Sequence, residues 1–507
     1  MKKTLLSVLS IFTLVSANAQ TKYVDEVFTE SDIKITKNVT YGDNYTVLAA
    51  AQVGVKLTSQ IGKPMVMDIY EPTDGQTKRP LVIFCHSGSF LPRYQNGTPV
   101  GYKDDSATVA FCMSLAKRGY VVASMTYRMG WNPFAATDDL RKQGIINAAY
   151  KGVQDLATCV RYFKQDVGAY GNNYGIDTTK IAVGGNGTGG YITSAYASIN
   201  RQEEIKSIKF RDATTGKVMV NDTTWGDRFG LGIDDPTKGL FCKSNHIGYT
   251  SNAQVAFAVG GAIGDSAWME AGEIPLIWSH SVRDPFAPYT TGMVNVPGTT
   301  PPLQVVEVSG GFDAMNRCQR LGNTAPYKGK VMDNYTFEAN KINSGIDGLF
   351  PIAGLANASG PYEWYDTTAI KQLGIPEVPT ILGGIKASNP FHSRTRAMKY
   401  VDSIMGYIAP RIAVTLGLVN SVGIVDADLA SNVTVAPNPA KNQLIIHNNW
   451  ENRSLIGATL TDMNGRTVRN FTVTGNHNSY ELNVAPGIYV IQMQFTDGIG
   501  STKLIVE

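Results

Sequence analysis

From about Met65 to Thr415 this chain alternates short apolar runs with segments of helical period, and that rhythm constrains its fold more than any other feature. Leu81-Val82-Ile83-Phe84-Cys85, Tyr120–Met125, Lys180–Gly184, Val255–Val259 and Pro275–Trp278 are apolar almost without interruption, and Met65–Tyr70 opens the series before Glu71-Pro72 stops it. Unbroken apolar runs of this length are typical of strands buried on both faces. Between them, Ala107–Lys117, Ile145–Gln165 and Thr188–Ile199 carry helical spacing, and Arg394–Thr415 reads as a last helix. Strands alternating with helices predict an α/β fold, a mainly parallel sheet covered by helices. Two stretches break the rhythm. Residues 201–251 are polar and irregular, and residues 327–379 are rich in Gly, Asn and Pro. Long loops at strand ends of such a sheet are expected to form lids or binding walls. Trp225, Phe229 and Phe241 in the first of them are expected to pack rather than to stack on sugars.

The two ends of the chain have other textures. Met1-Lys2-Lys3 precedes an apolar stretch from Leu5 to Val15, and Ala17-Asn18-Ala19 then presents small residues. Charge, apolar core and A-x-A in that order predict a secretory signal over residues 1–19, cleaved after Ala19. Its core is too short to span a bilayer, which takes about 20 residues, and no later stretch is long and apolar enough to do so. A polar lead then occupies residues 20–62, and the α/β block runs over 63–425. The tail, 432–507, is built of short alternating runs: Val433–Ala440, Leu460–Asp462 leading into Asn464-Gly465, Leu482–Ile491 and Thr502–Glu507. That pattern, with an Asn-Gly turn, predicts a small all-β sandwich. With 45 basic against 42 acidic residues, a net charge of +3 gives no reason to expect nucleic acid or an anionic membrane as partner. Five cysteines leave at least one thiol unpaired. Cys242 and Cys318, in or beside the irregular stretches, are expected to pair, and Cys85 to be buried and free.

Four features in the α/β block fall in a chemically meaningful order. The strand ending at Cys85 runs into His86-Ser87-Gly88-Ser89-Phe90, small residues that allow a sharp turn with N–H groups aimed into a cleft. The strand 180–184 runs into Gly185-Asn186-Gly187-Thr188-Gly189-Gly190 and a helix, a strand–turn–helix elbow. Asp284 follows the strand 275–278, and His392 precedes the last helix. Asp284 also suits a turn ahead of Pro285, and His280 is a second candidate base. Gly185, Gly187 and Gly190 spell G-x-G-x-x-G, but Glu203 and Glu204, the acidic residues at the right distance, follow no apolar strand, which argues against a dinucleotide site. No His-x-His or HExxH occurs, so neither a metal nor any other cofactor is expected.

These residues resemble the α/β-hydrolase family, in its esterase and lipase branch, over about Lys63–Leu416. His86–Phe90 is similar to the HGGG-type oxyanion loop with two Gly replaced by Ser, and Gly185–Gly189 to the G-x-S-x-G nucleophile elbow. The resemblance implies backbone oxyanion donors at Gly88, Ser89 and Thr188, with Asp284 orienting His392 as base. At the nucleophile position itself stands Gly187, which has no side chain. Thr188 turns into the helix, and Ser87 and Ser89 lie in the loop opposite the expected attack. The tail resembles the type IX secretion sorting domain, which implies export through the periplasm of a Gram-negative bacterium to the medium or cell surface, the secretion machinery as partner, and processing near 425–432. Two readings follow: a secreted carboxylesterase-like hydrolase acting on a small-molecule or polymer ester, or a pseudo-enzyme that binds such an ester without cleaving it.

Overall fold

The computed structural model describes residues 21–47, 60–93, 96, 98–296, 302–354, 358–372, 382–383, 389, 392–423, 427–462, 467–495 and 499–507. The expected signal and its cleavage point, the Asn464-Gly465 turn and part of the 425–432 stretch lie outside these residues. Eight strands form the principal sheet: β1 (Ile33–Val47), β2 (Gln60–Pro72), β3 (Arg79–Cys85), β4 (Val121–Met125), β5 (Ile176–Asn186), β6 (Val255–Val259), β7 (Leu276–Ser281) and β8 (Leu349–Ile352). Their spatial order is β1-β2-β4-β3-β5-β6-β7-β8. β1 and β2 pair antiparallel, as do β2 and β4. Every pairing from β4 to β8 is parallel.

The run 81–85 shows why the interior strands are apolar throughout. Leu81, Ile83 and Cys85 point into a core shared with helix α2 (Asp138–Ala169) and helix α3 (Thr188–Ser198). Val82 and Phe84 point the other way, into a core shared with helix α1 (Ser106–Lys117) and the last helix, Arg394–Thr415. Successive strand side chains face opposite sides, and here both sides are covered. α2 starts at Asp138, earlier than the apolar spacing from Ile145 indicates. Its first turns are polar and carry no apolar signal, but Thr137 caps them through Leu140 N–H, and Asp138 and Asp139 complement the positive end of the helix. The lead 20–62 supplies β1, which buries little beyond Ile33, Tyr41, Asn44 and Thr46, so its sequence reads as polar.

A buried ion pair joins the segment after β4 to α2 inside the block. Arg128, just after β4, donates from Nε to Asp155 Oδ1 of α2 at 2.8 Å and from its backbone N–H to Oδ2 at 2.6 Å; both side chains are buried. The expected Cys242–Cys318 disulfide is not formed. All five cysteines are buried free thiols, with Cys242 packed against Gly226 and Gly232 inside the 201–251 stretch and Cys318 on the separate helix Gly311–Arg320. Cys85 is buried and free, as expected. Trp225 and Phe241 stack on each other at 5.8 Å. Glu203 and Glu204 sit in a 3₁₀ turn, Gln202–Lys206, rather than at a strand end.

The tail folds as two antiparallel sheets. One joins Val433–Ala436, Gln443–Asn448 and His477–Glu481; the other joins Thr467–Phe471, Leu455–Asp462, Gly487–Phe495 and Ile499–Val506. Leu444, Ile446, Leu460, Ile491, Met493, Phe495 and Leu504 fill the space between them. The run Leu482–Ile491 becomes a strand only from Gly487, because Pro486 has no N–H to give to a ladder.

Candidate active site

The parallel strands end on one edge, and the site is built there. β5 ends at Asn186, and Gly187 takes φ +53° and ψ −115° before α3 begins. A side chain is strained in that conformation; glycine is not. The turn is closed by Gly187 N–H to Val259 O at 2.9 Å and by Gly190 and Tyr191 N–H to Gly187 O. Gly189 is required for a different reason: a Cβ there would lie 2.0 Å from Cys85 O, because the first turn of α3 sits directly on the end of β3.

Opposite the elbow, the loop after β3 has three consecutive residues at positive φ: Gly88 (+124°), Ser89 (+54°) and Phe90 (+56°). Two of them bear side chains, a strain that surrounding contacts must hold in place. Those contacts fix the carbonyls. Leu91 N–H donates to Gly88 O, Trp131 Nε1 to Ser89 O and Gly130 N–H to Phe90 O, at 2.8–2.9 Å. The N–H groups of Gly88 and Ser89 take no partner among the described residues and lie on the wall of the same cavity as Gly187 and Thr188. Thr188 opens α3, where a backbone N–H has no intrahelical acceptor.

Tyr127 ties loop and elbow together. Its hydroxyl lies 3.0 Å from His86 O, 3.4 Å from Ser87 O and 2.9 Å from Thr188 Oγ1. Its ring stacks on His86 at 4.6 Å. Burial holds the His86 imidazole down to about 4, so it is neutral; Nδ1–H donates to Ser87 O at 2.5 Å. Sequence reasoning missed Tyr127, since nothing local marks a tyrosine just past a buried strand.

Asp284 follows β7 and lines the cavity, with its side chain only 3% exposed. Oδ1 accepts from Phe286 and Ala287 N–H at 2.8 and 3.0 Å, and Oδ2 lies 3.7 Å from His280 Nε2. Asp284 therefore both builds the turn before Pro285 and faces the cavity. His280 is buried and engaged at both nitrogens: Gly311 N–H donates to Nδ1 at 3.0 Å, and Nε2 lies 3.2 Å from Ala287 O. His392 is not among the described residues that line the cavity. It stacks on Tyr365 at 4.0 Å, and Tyr365 lines a small adjoining pocket with Glu363 and Asn389. Five of the six expected site residues, Gly88, Ser89, Gly187, Thr188 and Asp284, thus meet at one cavity, and His392 stands beside its neighbour.

The cavity measures about 810 Å³ and its walls are largely apolar. α2 contributes Ile145 and Val153, the 201–251 stretch Phe210 and Val220, and the hairpin of Thr291–Val296 and Leu303–Ser309 adds Val296 and Val306. Among the described residues, Glu363 and Asp284 are the acidic ones on its wall. Burial, then the charges of Asp105 and Asp284, push the Glu363 carboxyl up to about 8, so it holds its proton at neutral pH. Glu363 follows Tyr362, whose hydroxyl donates to Val259 O at 3.2 Å, the same carbonyl that anchors the elbow. Among the described residues no group of three or more His, Cys, Asp or Glu could hold a metal ion.

The strand order and the strand–turn–helix elbow are those of an α/β-hydrolase fold. More particularly, residues 67–223 match the BD-FAE family, an esterase-like α/β-hydrolase domain, and residues 434–507 match the secretion system C-terminal sorting domain of type IX export. No curated protein matches the chain. Similar solved structures include native Thermogutta terrifontis esterase 2 (14% identity, TM-score 0.31, 71% of this chain and 95% of that one). The same esterase phosphoramylated by tabun gives 14%, 0.31, 70% and 93%, and its form phosphorylated by paraoxon 15%, 0.28, 52% and 75%. The sorting domain marks the chain for export, to the medium or the cell surface. Among the described residues no helix is long and apolar enough to cross a membrane.

Proposed function

We propose that the protein hydrolyses a carboxylic ester with a large apolar moiety outside the cell, using Gly88, Ser89 and Thr188 N–H as oxyanion donors and His392, oriented by Asp284, as base. The observation that carries this reading is the pair of N–H groups at Gly88 and Ser89, without a partner among the described residues, opposite an elbow held at φ +53°. Donors fixed before the substrate arrives stabilise the developing oxyanion without reorganisation. An apolar cavity of about 810 Å³ is in the range that encloses a drug-sized molecule, which favours a bulky acyl or alcohol group over acetate esters. The bare elbow at Gly187 favours a second reading, a pseudo-enzyme that holds such an ester without cleaving it. Steady-state turnover of aryl esters of increasing acyl length by the purified protein separates the two. Hydrolysis that rises with acyl size and falls at least tenfold in His392→Ala and in Asp284→Asn supports the enzyme. Tight binding of the ester with no turnover supports the second reading.

A further inference from the structure

Gly187 leaves a gap at the elbow, and a neighbouring side chain occupies it. A Cβ built on Gly187 would lie 2.2 Å from Ser87 Oγ, 2.9 Å from Ser87 Cβ and 3.7 Å from Ser87 Cα. The hydroxyl oxygen is the nearest of the three, so Ser87 directs Oγ into the volume that an elbow side chain would fill. We infer that Ser87 is the nucleophile of this site, delivered from the oxyanion loop to the position that the elbow leaves open. The inference rests on the hydrolase reading above.

Three further observations support it. The Ser87 hydroxyl makes no hydrogen bond among the described residues, and Ser87 lines the cavity. Its backbone is pinned, with the carbonyl held by His86 Nδ1–H at 2.5 Å and approached by the Tyr127 hydroxyl at 3.4 Å, so the side chain has a fixed origin. The two N–H groups that would face an oxyanion belong to the next residues, Gly88 and Ser89. The residue types are also reciprocal. The G-x-S-x-G elbow carries Ser and the HGGG loop carries Gly; here position 187 is Gly and position 87 is Ser.

The reaction balances with groups already named. Ser87 Oγ bonds to the acyl carbon as its proton passes to His392, and the carbonyl π pair moves to the oxygen facing Gly88 and Ser89 N–H. Collapse of that intermediate breaks the acyl carbon–alkoxy oxygen bond, and the alkoxide leaves with the proton from His392. Water then attacks the acyl-Ser87 ester, giving up one proton to His392. The acid departs, and Oγ recovers the proton.

The test is covalent labelling of the native, full-length protein with a fluorophosphonate, followed by proteolysis and mass mapping of the adduct. The expected adduct is on Ser87. Ser87→Ala, with an unchanged melting curve, should lose both the label and about 10³-fold or more of the ester turnover, as loss of a nucleophile does. An adduct on Ser89 or Thr188, or turnover undiminished in Ser87→Ala, overturns the inference and leaves the hydrolase reading standing. The map on the native chain needs no variant and decides the matter if Ser87→Ala fails to fold. The paired exchange Ser87→Gly with Gly187→Ser separates the two failures. If the native chain is inert and the exchange hydrolyses esters, Ser87 is not a nucleophile but the site is a hydrolase; if both are inert, both readings fall.

Discussion

Replacing Glu363 with glutamine should change how the stability of this protein depends on pH. The carboxyl stands at about 8 in the folded protein against an ordinary 4.5, mainly through burial and then through Asp105 and Asp284. Between those two values the unfolded chain is ionised at this residue and the folded chain keeps its proton. The folded state then binds more protons, so stability falls as pH rises through the window and levels off above about 8. At about 1.4 kcal/mol per pH unit, the whole interval sets a ceiling of about 5 kcal/mol. Water entering the cavity solvates the carboxylate and lowers that figure. Even a third of the ceiling, about 1.5 kcal/mol, corresponds to about 2 °C in melting temperature for a block of this size, at about 2.1 cal/mol/K of unfolding entropy per residue. Glutamine keeps the shape and cannot ionise. Differential scanning calorimetry of both proteins from pH 5 to pH 9 should give nearly equal melting temperatures at pH 5 and a more stable Glu363→Gln at pH 8. Glu273, raised to about 7 by burial and by Glu204, is present in both and cancels in the difference. A difference that stays constant over this range, or that grows toward acid, refutes the argument.

Other perturbations follow from the same geometry. Arg128→Met leaves Asp155 buried without its partner and should cost about 3–5 kcal/mol in urea unfolding, part of which Asp155→Asn in the same chain restores. Gly187→Ser alone places a side chain at φ +53° and 2.2 Å from Ser87 Oγ; it should cost about 1–3 kcal/mol for the backbone strain plus the contact, and adding Ser87→Gly should return only the contact, as read from paired unfolding curves. Iodoacetamide should label none of the five buried cysteines in the native protein and all five after unfolding in guanidinium, counted by intact mass.

The sequence carried the sheet because its strands are buried on both faces. A run such as Leu81–Cys85 has no polar position to give a second interpretation, and β3, β4, β5, β6 and β7 all fall where the apolar runs lie. β1 was hidden for the opposite reason, since an edge strand that buries few side chains reads like a loop. At the site, Gly187, Thr188, Gly88, Ser89 and Asp284 were legible because each is placed by the strand immediately before it. What brings two loops together was not. The Ser87 hydroxyl meets the elbow only through the packing of β3 beside β5, and Ser87 reads from the sequence as turned away from it. Tyr127 and Glu363 have no motif: Tyr127 is defined by the loop and elbow it ties together, and Glu363 by the cavity it lines. The disulfide expectation failed because spacing along the chain says nothing about the depth at which Cys242 and Cys318 are buried in separate elements.

Val259 O receives both the Gly187 N–H and the Tyr362 hydroxyl, so one carbonyl fastens the elbow and the segment carrying Glu363 to the same point. Asn389 adds a second fastening through its side-chain amide to Gly360 O and Glu363 O. Displacing that segment would break these bonds and loosen the elbow. Another part of the lining, from the strands Thr291–Val296 and Leu303–Ser309 and the 201–251 stretch, meets the cavity through side chains such as Val220, Val296 and Val306, which take part in none of those four bonds.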